Sequence, residues 1–354
     1  MLVGVNVRTS IIPVFIPHVG CPHQCIFCNQ TKITGIATNI TPDKVKQIIA
    51  AGLLRAENNV PEVAFYGGSF TALPKMDQIN LLTPAHQFVK EGRISSIRLS
   101  TRPDYINDDI LNMLTDFGVT TIELGAQSLD NKVLALAHRE HTWQHVHTAV
   151  NDIKRANIKC GLQLMVGLPG EDWTSLILSA VRVAKLNPDF VRLYPTLVID
   201  NTPLAEAFKA NRFIPLSLRQ AVCRCAYLKI YLEYQSKINI IRTGLQATDF
   251  LNQPGVVIAG PYHPAFGEMV DSQIFYLMIA HIIELQTARY LTIHHHPKDH
   301  SKLRGNNNYN LYRLKENYGE IEIRLVPDGN CKNELAIETG VNSYTINPNM
   351  IFFI

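Results

Sequence analysis

Through the first two hundred residues, short runs of mostly apolar side chains alternate with longer stretches in which apolar positions recur every three to four residues. The short runs are IIPVFI (11–16), EVAFY (62–66), SIRLS (96–100), TTIELG (120–125), IKCGLQLMVG (158–167) and DFVRLY (189–194). They are largely apolar without strict alternation, which predicts strands covered on both faces. The intervening stretches carry helix punctuation. Thr41-Pro42 sets a capping hydroxyl and a first-turn proline before DKVKQIIAAGLL, and Asn107-Asp108 precedes ILNMLTDFG, which closes on Gly118. Strand and helix in alternation give a parallel sheet with right-handed crossovers. Six such units predict an α/β fold, a partial (β/α)6 barrel that is an open form of the eight-unit barrel.

Past about residue 200 the rhythm changes to a helical segment (203–235), a Gly/Pro-rich passage (243–270), a second helical run (271–287) and then short strands between polar turns. The expected organisation is a barrel core over 1–200, a helical extension with a Gly/Pro-rich loop over 201–290, and a small β-rich region over 291–354, a C-terminal α+β extension. The histidine-rich run HHHPKDHSKLRGNNN (294–308) reads as a solvated polar loop, with phosphate contact or metal binding as the alternative.

Composition narrows the function. The chain has 354 residues, nearly half of them apolar, and a formal charge of +3, which points to neither an acidic tail nor the strongly basic surface of a dedicated nucleic-acid binder. Neither a membrane-length apolar run nor a secretory signal pattern stands out, so no membrane association is expected and the expected location is the cytoplasm. Seven cysteines, three of them within eight residues, suggest metal binding in a reducing compartment rather than a disulfide framework.

Those three are Cys21, Cys25 and Cys28, in IPHVGCPHQCIFCNQTKITG (16–35) after the first predicted strand, on the face where such barrels collect their active sites. Structural zinc and ordinary electron-transfer clusters take four ligands, whereas three cysteines leave one iron of a cluster open to another molecule. A zinc knuckle completed by His18 or His23 is the alternative. Against it, zinc cysteines usually come as two spaced pairs, and no second Cys-x2-Cys exists here. Cys223 and Cys225 in VCRCAY would point apart on a helix and read as small apolar residues. Glu123 and Asp104 are carboxylates near strand ends with no partner identifiable from the sequence.

Cys-x3-Cys-x2-Cys with Phe27 before the last cysteine resembles the signature of the radical S-adenosylmethionine (SAM) superfamily. The similarity continues through FYGGSFTALP, STRPDYI, IELGAQS, AHRE and LQLMVGLPGE over about the first 200 residues. Its wording is closest to the Elongator catalytic-subunit-like group, with a frame shared by oxygen-independent coproporphyrinogen oxidase-like enzymes. The resemblance implies a [4Fe-4S] cluster on Cys21, Cys25 and Cys28, S-adenosyl-L-methionine bound at its open iron, and reductive cleavage to a 5′-deoxyadenosyl radical with electrons from a reducing donor. Carried over residue by residue, the cofactor contacts fall on Phe15, Gly67, Gly68, Ser69, Ser100, Gln127, Arg139 and Gln163; several relatives carry aspartate where Gln163 stands. The Elongator-like wording implies tRNA, through wobble-uridine modification. Two features depart from that group: the cysteine spacing is shorter, and no segment after the barrel resembles an acetyltransferase domain. Radical modification of a small metabolite or tetrapyrrole, and a non-catalytic iron–sulfur RNA-binding module, are the alternatives.

Overall fold

The computed structural model describes residues 10–35, 40–56, 60–246, 248–249, 251–340 and 342–351. They fall into two compact units. The first comprises Met1–Arg192, Thr196–Pro215 and Ala247–Gly260, and the second Leu193–Pro195, Leu216–Gln246 and Pro261–Ile354.

The first unit is a curled sheet wrapped by helices. In chain order its elements are β1 (Ile11–Phe15), α1 (Gln30–Thr34), α2 (Pro42–Leu53), β2 (Glu62–Tyr66), α3 (Lys75–Lys90), β3 (Ser96–Thr101), α4 (Asp108–Asp116), β4 (Val119–Gln127), α5 (Asn131–Leu136), α6 (Trp143–Arg155), β5 (Lys159–Val166), α7 (Trp173–Leu186) and β6 (Phe190–Pro195). The strands lie in sequence order from β1 to β6, and the pairs from β1–β2 to β4–β5 are parallel. This is the expected partial barrel. The anticipated caps also form: Thr41 accepts from the Lys44 N–H (3.3 Å), Asn107 accepts from the Ile110 N–H (2.9 Å), and Gly118 leaves α4 with φ +79°.

A short pair, β7 (Val198–Ile199), and the helix α8 (Pro203–Lys209) complete this unit with a strand from further along the chain. The second unit holds α9 (Leu218–Lys229), followed by one π-helical turn, and β8 (Asn239–Thr243). The strand that pairs with β7 is β9 (Val257–Ala259), which belongs to the first unit. Within the second unit β8 adds to the Leu193–Pro195 end of β6, the Gly244 N–H donating to the Leu193 carbonyl (2.8 Å). The sequence pattern does not predict that strand: NIIRT is short and sits between a helix and a Gly/Pro-rich passage.

Beyond it come α10 (Phe266–Gln286), β10 (Tyr290–His295), α11 (His300–Arg304), α12 (Tyr309–Tyr318), β11 (Glu322–Pro327), β12 (Leu335–Glu338) and β13 (Ser343–Ile346). The last four strands form one sheet in the order β11-β10-β12-β13. Two helices interrupt what the sequence presents as strands and turns, and the histidine-rich run is not a loop. His295 is fully buried at the end of β10, and His300 opens α11. Cys225 is buried in α9, in keeping with its reading as a small apolar residue. Among the described residues no helix is long and apolar enough to cross a membrane.

Candidate functional site

The loop leaving β1 carries all three clustered cysteines, and backbone hydrogen bonds fasten it to the turn after β2. The Ile16 N–H donates to the Tyr66 carbonyl (2.7 Å), the His18 N–H to Gly67 (3.0 Å) and the Ser69 N–H to Val19 (3.1 Å). Glycine makes this approach possible. A Cβ on Gly68 would lie 2.3 Å from the Val19 oxygen and 2.6 Å from that of Ile16; one on Gly20 would lie 2.2 Å from the Ser69 oxygen. Gly67 itself needs its left-handed φ of +92° and stands beside the Phe15 ring.

The second half of the loop is held from other elements. The Ile26 N–H donates to Ala137 (3.4 Å) after α5, and its carbonyl accepts from the Leu204 N–H (2.8 Å) at α8. The Ile26 side chain packs with Val198, Leu204 and Ala205 in an apolar cluster that Phe27 joins. Asn29 caps α1 and donates to the carbonyls of Asp200 (3.3 Å) and Asn201 (3.4 Å).

Between these braces Cys21 is exposed, Cys28 half-buried and Cys25 buried. Burial raises the Cys21 thiol pKa above its ordinary value, and Cys25 adds to the rise. Burial and the neighbouring Cys25 push the Cys28 thiol up to about 12. Three adjacent thiolates therefore need a positive partner. Arg139 supplies one, its Nη1 donating to Cys25 Sγ at 3.0 Å while Nη2 donates to the Gly125 carbonyl (2.5 Å). Gln30 Nε2 donates to Cys28 Sγ at 3.5 Å.

Among the described residues no three His, Cys, Asp or Glu side chains stand close enough to hold one metal ion. A single zinc ion needs its donors about 2.0–2.3 Å away, whereas a four-iron cluster lets each cysteine take a different iron. His18 Nε2, one of the two candidate fourth donors of a zinc site beside His23, already accepts the Gln30 N–H (2.8 Å). Three cysteines on one braced loop, with cationic and amide donors on two sulfurs, fit an iron–sulfur cluster.

Further along the strand ends, Gln163 Nε2 donates to Gln127 Oε1 (3.1 Å), which brings two expected cofactor contacts together. Gln127 is buried with φ +64°, and the Ser128 N–H closes a three-residue turn onto Ala126 (2.8 Å). Backbone strain of this kind is concentrated at functional sites. Ser100 is half-buried, on the same face of β3 as Arg98. Ser69 is spent on structure: its hydroxyl bonds Thr101 Oγ1 (3.1 Å) and accepts the Arg102 N–H (3.2 Å). Arg139 Nε is buried without a partner.

Several participants carried no sequence signal. Arg102 is buried and binds Asp104 through two bonds (3.0 and 2.8 Å), its Nη1 is unpartnered, and its charge lowers the thiol pKa of Cys21. His141 is buried, with Nε2 bonded to the Ala126 carbonyl (3.2 Å) and Nδ1 unpartnered; burial and the charges of Arg139 and Arg102 push its pKa down to about 3. The dipeptide Arg102-Pro103 before Asp104 is the one local hint, a cation and an anion two residues apart at a strand end. Glu123, which the sequence left without a partner, accepts from Tyr66 Oη (2.8 Å), Arg98 Nη1 (3.0 Å) and Arg192 Nη2 (3.0 Å). Arg98 Nη2 also pairs with Glu62 (2.5 Å). Two arginines and two glutamates thus balance across the interior of the sheet.

Two family models match the chain: the radical SAM superfamily over residues 15–179 and the radical SAM C-terminal domain over residues 188–275. Among curated proteins it is similar to the tRNA uridine(34) acetyltransferases of Methanocaldococcus jannaschii and Methanocaldococcus infernus. Identity to the first is 28%, over 51% of this chain and 32% of that protein; to the second it is 25%, over 74% and 55%. The chain thus spans about a third to a half of the length of those relatives. The protein YhcC of Escherichia coli is 25% identical over 55% of this chain and 63% of its own. Among solved structures, an N-terminally truncated archaeal Elp3 of Methanocaldococcus infernus superposes with a TM-score of 0.57 at 21% identity, covering 79% of this chain and 63% of that one.

Proposed function

Because the chain belongs to the radical SAM superfamily, we propose that Cys21, Cys25 and Cys28 are the ligands of its [4Fe-4S] cluster and that its substrate is tRNA, modified at a wobble uridine. The protein is an enzyme, and its cofactors are the cluster and S-adenosyl-L-methionine. Held by these residues, the cluster would supply an electron and S-adenosyl-L-methionine a scissile carbon–sulfur bond, which is the chemistry of reductive cleavage. A reducing donor provides the electron.

The observation that carries the ligand assignment is the bracing of the cysteine loop against Gly67, Gly68 and Ser69, with Arg139 donating to Cys25 Sγ. The chain's own residues do the remaining work. With Gln163 Nε2 bonded to Gln127 Oε1, the Gln127 amide nitrogen is left as a donor and the Gln163 oxygen as an acceptor, a pair that suits vicinal ribose hydroxyls. Phe15 stands beside Gly67 next to the loop, and Ser100 offers a hydroxyl from β3. Arg139 Nε and Arg102 Nη1 are buried donors awaiting an acceptor, for which a methionyl carboxylate has the right charge. The Glu123 network is neutral overall and closed on itself through ion pairs, so it ties neighbouring strands together in the interior of the sheet without competing for the cofactor.

The tRNA reading is supported by the names of the similar proteins and by the Elongator-like wording of the motifs. Anaerobic reconstitution of wild type and of the Cys21→Ala/Cys25→Ala/Cys28→Ala variant tests the core. Iron, an electron paramagnetic signal after reduction and 5′-deoxyadenosine are expected from wild type alone; bound zinc without cofactor cleavage would overturn the assignment. For the substrate, a deletion strain should lose a modified wobble uridine from its nucleoside profile, and an unchanged profile counts against tRNA.

A further inference from the structure

We infer that Arg139 and Gln30 raise the reduction potential of the cluster by hydrogen bonding to the sulfurs of Cys25 and Cys28, which makes them positioning residues for electron entry. This rests on the assignment of those cysteines as cluster ligands. The geometry is direct: Arg139 Nη1 lies 3.0 Å from Cys25 Sγ and Gln30 Nε2 lies 3.5 Å from Cys28 Sγ.

Neither side chain is a casual neighbour. Arg139 is buried, and its second terminal nitrogen is tied to the Gly125 carbonyl (2.5 Å). It stands between two residues in the left-handed region, His138 at φ +53° and Glu140 at φ +40°, a conformation that costs free energy in non-glycine residues. A Cβ on Gly125 would come within 3.4 Å of Arg139 Nη2 and 2.9 Å of the Gln127 amide. Gln30 is fixed at its backbone, where its N–H donates to His18 Nε2 (2.8 Å), and it opens α1 directly after the last cysteine pair. Strained backbone that delivers a guanidinium to a cysteine sulfur is explained if that contact has a function beyond filling space.

The direction of the effect follows from charge. Reduction by one electron adds negative charge that spreads onto the ligand sulfurs. Donors already aimed at those sulfurs stabilise the reduced form more than the oxidised one, and hydrogen bonds to sulfur and net charge are two of the levers that set such potentials. Arg139 acts through both its N–H and its cationic charge; Gln30, neutral and more distant, acts more weakly.

The test is a mediator titration of the reconstituted full chain without S-adenosylmethionine, followed by electron paramagnetic resonance, for wild type, Arg139→Gln, Arg139→Lys and Gln30→Leu. Arg139→Gln should lower the equilibrium constant for reduction about tenfold, ~59 mV toward negative potential. Gln30→Leu should lower it about threefold, and Arg139→Lys should fall between wild type and Arg139→Gln because it keeps the charge and loses the planar reach. Unmoved midpoints in variants that retain wild-type iron would overturn the inference and leave the ligand assignment standing. A wild type that assembles no cluster overturns the ligand assignment, and this inference with it. If Arg139→Gln cannot hold a cluster, the half-buried Gln30 decides: a shifted midpoint in Gln30→Leu supports the inference and an unshifted one overturns it.

Discussion

At the scale of single residues, the site depends on atoms that are absent as much as on those present. Gly68 has nowhere to put a methyl group, since its neighbours are the carbonyl oxygens of Val19 and Ile16 rather than movable side-chain ends. Gly68→Ala should therefore push the cysteine loop away from the turn, destabilise the protein by about 1–3 kcal/mol, and lose most of its iron after reconstitution. Gly329→Ala, where a Cβ meets nothing within 4 Å, should behave as wild type in the same assay; equal iron in both variants would refute the steric argument. A second prediction concerns protons. His141 is neutral when folded because burial and two arginines push its pKa down to about 3. Between that value and the ordinary ~6.5, the unfolded chain binds a proton that the folded chain does not. The stability is whole above pH 6.5 and drains away as pH falls, by ~1.4 kcal/mol per pH unit once well below it, or about 2 kcal/mol from pH 7 to 5. His141→Gln, which can still donate to Ala126, should flatten that slope in urea titrations at the two pH values. His18 and His300 shift in the same direction and stay in both proteins, so only the difference is read. The cysteines stand out in the sequence by their spacing, and the paired glycines and Gln127 through motifs that resemble those of the family. Arg102, His141 and Gln30 do not: a buried arginine looks like a surface arginine until the fold gives it a carboxylate, and Gln30 acquires meaning only when α1 turns its amide toward Cys28.

At the scale of secondary-structure elements, apolar runs and capping residues were sufficient for the barrel and insufficient for the C-terminal region. β1 to β6 are long enough and apolar enough to announce themselves, and Thr41, Asn107 and Gly118 mark helix ends through local hydrogen bonds that need no tertiary context. β7 to β9 are two to five residues long, and their strand character comes from the partner they meet; no periodicity develops over so short a span. The interior network shows the same division. Glu62, Arg98, Glu123 and Arg192 each stand as a charge within an apolar run, which a sequence can flag, but only the parallel register sets Ser96 opposite Glu62 and Arg98 opposite Ala64, which brings Arg98 diagonally within reach of Glu62 and also of Glu123. Four strands are joined there, because Tyr66, Arg98, Glu123 and Arg192 come from β2, β3, β4 and β6. Replacing Glu123 by Gln removes the shared anion, so the Arg192 guanidinium faces an amide and Arg98 is left with Glu62 alone. Removing one member of a buried ion pair costs about 3–5 kcal/mol. Glu123→Gln should therefore lower the urea midpoint markedly, and its loss should exceed that of Glu91→Gln, whose ion pair with Arg93 is exposed and worth little. Comparable losses in the two variants would mean that the buried network does not hold the sheet together.

At the scale of the whole molecule, the substrate question turns on charge and on coupling. A formal charge of +3 over 354 residues gives no broad electrostatic field for RNA, so any tRNA contact must come from a few locally placed cations. Affinity is then modest at physiological salt, and a simple binding assay separates tRNA from other polyanions poorly. Turnover separates them better, because binding energy realised only when the reacting base is in place accelerates the chemical step. If a wobble uridine is the target, tRNA from a deletion strain should stimulate 5′-deoxyadenosine release several-fold over tRNA from the parent strain, which already carries the product. The two preparations have the same phosphate backbone and nearly the same shape, so nonspecific polyanion effects cancel. Raising the salt from about 50 to 200 mM should reduce the stimulation, since each neutralised phosphate contributes about 0.7–0.9 to the slope of log affinity against log salt. A small-metabolite substrate would leave the two tRNA preparations indistinguishable and the rate nearly independent of salt. That outcome would keep the radical chemistry, which belongs to the family, and remove tRNA from the account of this chain.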